Sequence, residues 1–308
     1  MSNMTLTCLS RLGLFALACG AVRPRVALAQ AQSAGRTRQV SHAAIHDPHP
    51  SPDGMRLVYI MRVAGREQLF VMDTGGRHAV QLTRDDADHE DPAWSPDGRT
   101  IAFVYMKDGA EVLVLMDADG RSMREVTPRS MKAIHPTWHP DGTRLAFCTD
   151  DDVAPPKKNA ADILVLDVAT LAIRVLITGG VNTYPAWSPD GRQIAFRRMV
   201  GPDEKDSEVF VADADGAHAH NITNHAAFDG WPAWSPDGRE IAFASNRADG
   251  VNFQIYLMHP DGSEARRIAD TTGRATAPQW SRDGRLVYFP LCRRVDTGTD
   301  CAIFSAAR

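Results

Sequence analysis

Four side chains in the first half of this sequence, His46, His89, Asp91 and His135, are of the kinds that bind divalent metals or move protons. Their spacing matches no standard metal-ligand pattern, and an acidic stretch of Asp85, Asp86, Asp88 and Glu90 surrounds two of them. They read better as solvated histidines beside carboxylates, so neither a metal nor a cofactor is assigned and no catalytic residue is named. A second set is more informative. Asp47, Asp91, His135, Tyr184, Trp231 and Ala277 each stand immediately before a proline, and they comprise five different residue types. A structural position in a repeat should look alike in every copy, so this variety marks a partner-binding or ligand-binding ring, with solvated loop ends as the alternative. His89 is grouped with this ring.

The elements that would position such a ring come from an internal repeat. Ser-Pro-Asp-Gly, or a close variant, occurs at Ser51–Gly54, Ser95–Gly98, His139–Gly142, Ser188–Gly191, Ser235–Gly238 and Ser281–Gly284, at spacings of 44 to 49 residues. A period near 45 without helical periodicity corresponds to one four-stranded propeller blade per repeat. Five copies are preceded by Pro-x-Trp, ending at Trp94, Trp138, Trp187, Trp234 and Trp280; the first has Pro50 in the Trp position. After each turn comes a strand of β-formers such as Thr100–Val104 or Glu240–Ala244. A third strand follows, and a fourth ends in a pair such as Leu82-Thr83 or Ile222-Thr223. The last unit stops after its third strand, and Thr37–Ser41 has the composition to supply the fourth. The expected fold is all-β: a six-bladed β-propeller of four-stranded blades, its ring closed by the N-terminal strand, which removes exposed sheet edges. The repeated Asp and Gly are read as turn-formers and the repeated Trp as packing residues.

Pro-x-Trp-Ser-Pro-Asp-Gly followed by a short Ile-Ala-Phe strand resembles the WD40-like repeat of TolB propellers, over nearly all of the chain after about residue 37. The resemblance is to the propeller alone. For members that work in the Tol system it implies a periplasmic propeller docking a lipoprotein at its channel mouth. Those contacts cannot be carried over residue by residue. No Gly-x-Ser-x-Gly nucleophile elbow is present, which argues against peptidase activity of the propeller-hydrolase kind.

Composition is ordinary for a folded domain, with 44% hydrophobic residues, enough for a core, and a formal charge of −4. Residues 1–31 carry Arg11, Arg23 and Arg25 but no acid, so the remainder is more acidic still, which argues against nucleic acid as partner. The same residues read as a signal peptide, with an apolar run from Leu12 to Val22 that is too short to span a bilayer. A signal peptide, 1–31, followed by a single propeller domain, 32–308, is therefore expected, in a periplasmic or secreted monomer; lipid anchoring through Cys19 is the alternative. Cys148 reads as a buried thiol, while Cys292 and Cys301 flank one loop and leave open a bridge. The irregular segments Asp150–Ala160, Met199–Asp206 and Pro290–Asp300 are expected on the binding face, opposite the repeated turns. The functional expectation is a protein-interaction or ligand-binding module, its partner an envelope protein, a lipoprotein or a small ligand. A channel-mouth hydrolase or lyase using a metal or His/Asp site is the second reading.

Overall fold

The computed structural model describes residues 37–41, 45–149, 160–200, 206–295 and 298–308. The signal segment 1–31, with Cys19, and most of the two irregular segments after Thr149 and Val200 lie outside the described residues.

Six antiparallel sheets follow one another along the chain. The first consists of Ile45–Pro50, Arg56–Val63, Arg66–Asp73 and Val80–Gln81, paired in that order. The second repeats it with Asp88–Trp94, Thr100–Lys107, Ala110–Asp117 and Arg124–Glu125, and the next three do likewise from Ala133, Asn182 and Asp229. In the sixth, the inner strand is split into Arg274–Ala275 and Gln279–Trp280, followed by Leu286–Val295 and Gly298–Ala307. Its outermost strand is Arg38–Gln39, registered against Ser305 and Phe304, with Val40 N–H donating to Ile303 C=O at 2.7 Å. The N-terminal strand therefore completes the last blade. Most outer strands are only two residues long, which limits the unpaired edge each blade shows to solvent.

Each blade is apolar on both faces, because its second and third strands are continuous hydrophobic runs buried against both neighbours. The buried side chains accordingly fall into six clusters, one per blade-to-blade interface. The cluster that closes the ring joins Val40, Tyr288 and Ile303 of the last blade to Ile45, Leu57 and Phe70 of the first. Phe103, Phe147, Phe196, Phe243 and Phe289 occupy the same second-strand position in five blades, all fully buried. Two of the repeated tryptophans tie neighbouring blades together by hydrogen bonds: Trp138 Nε1 donates to Ala93 C=O at 3.1 Å and Trp280 Nε1 to Ala233 C=O at 3.0 Å.

The repeated turns have the local chemistry that their residues dictate. Ser95 Oγ donates to Asp97 Oδ1 at 2.6 Å, Asp97 Oδ1 accepts from Arg99 N–H, and Gly98 sits at φ +69°. A Cβ on Gly98 would also lie 3.1 Å from Pro52 of the neighbouring turn, so the turns pack around one end of the ring. At the end of the outer strands Thr83, Thr127 and Thr223 hydroxyls accept from Leu69, Leu113 and Val209 N–H, each at 2.9 Å, which explains the repeated Leu-Thr pair.

One expectation is corrected. Pro290–Asp300 is not an irregular loop: the strands Leu286–Val295 and Gly298–Ala307 pair in register along their whole length, with Leu291 and Ile303 buried on their faces. Cys292 and Cys301 stand directly opposite each other in this hairpin and are joined by a disulfide.

Candidate functional site

Every inner strand carries one extra residue relative to its partner. Between the pairs Glu90–Val104 and Ala93–Ala102, for example, three steps on the inner strand oppose two on the second. The same bulge recurs in blades one, three, four and five, and the split inner strand of blade six repeats the count. The extra residue is the one before the proline, which has no N–H to give to a ladder. Asp47, Asp91, His135, Tyr184, Trp231 and Ala277 all take φ between +43° and +54°. Six non-glycine residues in the left-handed region, each costing about 1–2 kcal/mol, are sustained by the blades around them. All six line one cavity of about 560 Å³ on the propeller axis, walled between them by the six following prolines.

The cavity is chemically divided. Blades one and two contribute carboxyls: Asp47, Glu90 and Asp91 line it. His46 stands behind them, its Nδ1 3.0 Å from Asp47 Oδ2 and its Nε2 3.4 Å from Glu67 Oε2. Burial opposes a charge on His46, but the Asp47 hydrogen bond and the Asp47, Glu67 and Glu90 carboxylates outweigh it and raise its pKa to about 9. Burial, then the Asp47 and Glu90 carboxylates, push the Asp91 carboxyl well above the usual range, against the hydrogen bond it accepts from His135 N–H at 3.1 Å. Glu90 is raised for the same first reason, with Asp47 next. His49, also on the cavity wall, accepts from Trp94 N–H at 3.3 Å, and burial lowers its pKa to about 4.

Blades three to five contribute a chain of rings. His135 stacks on Tyr184 with centroids 3.8 Å apart, Tyr184 meets Trp231 at 5.4 Å, and Trp231 meets Phe253 at 5.6 Å. Arg274 and Arg282 of blade six line this side, with Arg274 Cζ 5.1 Å from the Phe253 ring centre, and Arg197 Cζ lies 4.7 Å from the Tyr184 ring centre. Burial raises the Tyr184 hydroxyl to about 12, with Arg197 pulling the other way.

His89 is not brought to the cavity. It is fully buried between blades one and two, its Nδ1 3.1 Å from Glu67 C=O and its Nε2 3.3 Å from Asp85 Oδ1. The six ring residues do come together, though inside the inner strands at the bulge rather than at strand starts. Among the described residues no group of three or more His, Cys, Asp or Glu is arranged to hold a metal. Cys148 Sγ, His135 Nδ1 at 3.2 Å, and His135 Nε2 with Asp91 Oδ2 at 3.6 Å form a line that resembles an activated thiol. The thiol is fully buried in the strand beneath the imidazole, so a substrate has no path to it. His49 and Arg197 are not singled out by the sequence, and Glu90 enters there only as part of the acidic stretch. Arg197 was detectable, since its strand departs from the apolar continuation seen in the other repeats.

The family profile for the TolB beta propeller domain matches residues 19–153 and 110–297. Comparison with curated protein sequences finds no match. Among solved structures, a protein from Agrobacterium tumefaciens described as a TolB is 25% identical, covering 85% of this chain and 90% of its own, with a TM-score of 0.65. TolB from Acinetobacter baumannii is 20% identical over 82% of this chain and 64% of its own, at TM-score 0.67. An oligogalacturonate lyase in complex with manganese is 17% identical over 90% of this chain and 94% of its own, at TM-score 0.61, a likeness of fold alone.

Proposed function

The chain belongs to the TolB β-propeller family, and from that premise we propose that it is an exported propeller whose channel mouth captures a segment of an envelope protein, or a small ligand. Residues 1–31 are its export signal in this reading, the propeller works as a monomer in the periplasm, and the process served is of the Tol transport kind. The observation that carries the reading is the ring itself. Six residues of five chemical types are held at one bulge position in a conformation that costs energy, and all of them line one cavity. Strain retained at a shared position whose residue types differ is what a recognition surface requires and a packing role does not. Prolines between them give the surface a rigid, already ordered floor, which lowers the entropic cost of binding.

Capture from an envelope extract tests the proposal. Wild-type protein is expected to retain a defined partner that the triple variant Asp91→Ala, His135→Ala, Trp231→Ala loses while keeping its far-ultraviolet spectrum. Identical recovery by both proteins would remove the mouth from consideration.

The Asp91–His135 pair favours a second reading, proton transfer in a hydrolase or lyase, because a carboxyl held above its usual range beside an imidazole is a general-acid arrangement. Turnover of lactones or uronides, with and without added divalent ions, and its loss in Asp91→Asn, would establish that reading.

A further inference from the structure

Arg197 stands where no other blade has a polar residue. The second-strand residues opposite the position before the ring residue are Ile60, Val104, Cys148, Ala244 and Pro290 in five blades, and Arg197 in the fourth. The neighbouring blade makes room for it: a Cβ on Gly230 would come within 2.9 Å of Arg197 Cδ. Its guanidinium is then enclosed by rings, with Cζ 4.7 Å from the Tyr184 centre, 5.5 Å from Phe228 and 5.6 Å from Trp231.

What the guanidinium lacks is an acid. Nε donates to Thr183 Oγ1 at 2.9 Å, and no carboxylate of the described residues lies within ion-pair distance of either Nη. By contrast, Arg247, at a comparable depth in the fifth blade, is paired with Asp229 at 2.7 Å. A half-buried cation without a counter-charge is costly, and burial pulls the Arg197 pKa down with only Tyr184 and Cys148 offsetting it. The carboxyls of the mouth, Asp47, Glu90 and Asp91, belong to the blades across the axis. Tyr184 and Trp231 both line the cavity, and Arg197, which is partly exposed, lies over the faces of these two rings behind the lining.

We propose that Arg197 is the carboxylate-binding group of the channel mouth, its two Nη donors gripping a carboxylate carried on an apolar or aromatic group that lies against Tyr184 and Trp231. This rests on the mouth being a binding site. The planar fork matches a carboxylate with two parallel hydrogen bonds, and the aromatic walls accept the group that bears it. Such a carboxylate has two sources, a peptide or a sugar acid.

Calorimetric titration of the wild-type protein with N-acetylphenylalanine and with its amide tests the peptide source, and galacturonate against galactose tests the sugar source. The expected result is that one acid binds roughly tenfold or more tighter than its neutral partner. Arg197→Met, which replaces the charge by packing, is expected to abolish the preference, and Arg197→Lys to keep part of it. A preference for galacturonate alone would uphold the role of Arg197 while removing the protein-partner reading. No preference for either acid in the wild-type protein, or a preference that survives in Arg197→Met, would overturn the proposal; the wild-type comparison decides even if a variant does not fold.

Discussion

His135 and Tyr184 sit face to face across the boundary between the third and fourth blades, ring centroids 3.8 Å apart and planes inclined by 33°. Both are left-handed bulge residues, so the contact links two strained positions that are neighbours around the axis but 49 residues apart in sequence. A double-mutant cycle with His135→Ala and Tyr184→Ala is expected to give a coupling energy of about 0.5–1.5 kcal/mol in chemical denaturation. A value near zero would mean the rings touch without supporting each other.

The carboxyl side of the mouth makes stability depend on pH through His46. Its pKa is raised from 6.5 to about 9 in the folded protein, so its contribution is complete below pH 6.5 and is lost as pH rises through about 9. Wild type is expected to lose stability relative to His46→Gln across that window, followed by chemical denaturation at a series of pH values. A difference that does not change with pH would show that the imidazole is not held as a cation by Asp47 and Glu67.

Ala277 isolates the backbone cost of the ring, since its side chain adds almost nothing. At φ +43° an alanine is strained where glycine is not. Ala277→Gly is expected to stabilise the protein by roughly 0.5–1 kcal/mol. Ala275→Gly, two residues earlier, where the methyl is fully buried, is expected to destabilise it. Destabilisation by both would show that position 277 is not under strain.

The disulfide closes a short hairpin in the blade that also receives the N-terminal strand. For a separation of 9 residues, its loss in a Cys292→Ser, Cys301→Ser variant is expected to cost roughly 2–3 kcal/mol on loop-entropy grounds. Thermal melting should respond to reductant in the wild type and not in the variant.

The repeat made the fold legible because its residues act locally. Ser95, Asp97 and Gly98 form a turn wherever they occur together, and Trp138 or Trp280 needs only a neighbouring carbonyl. The site was less legible, because its geometry depends on a bulge that no residue type announces: aspartate, histidine, tyrosine, tryptophan and alanine all occupy the left-handed position. That extra residue also changes which side chains turn inward, so Glu90 and Asp91 both reach the cavity while His89 is buried between blades. Pro290–Asp300 read as a loop because its proline, arginines and glycine mask the register that places Cys292 opposite Cys301. Arg197 is visible only when the repeats are laid over one another, blade against blade.

In the proposed function the partner is received in the axial cavity beside the ring residues, and not on the outer surface of the repeated turns, whose Ser51, Pro52, Pro236 and Arg282 border that cavity. Replacing Tyr184 by photoreactive benzoylphenylalanine, with Met55 in an exposed repeated turn as control position, and irradiating intact cells tests it most directly. A discrete crosslinked species is expected from position 184 and none from position 55. Crosslinks from position 55 alone, or none from position 184 in a correctly folded protein, would contradict it.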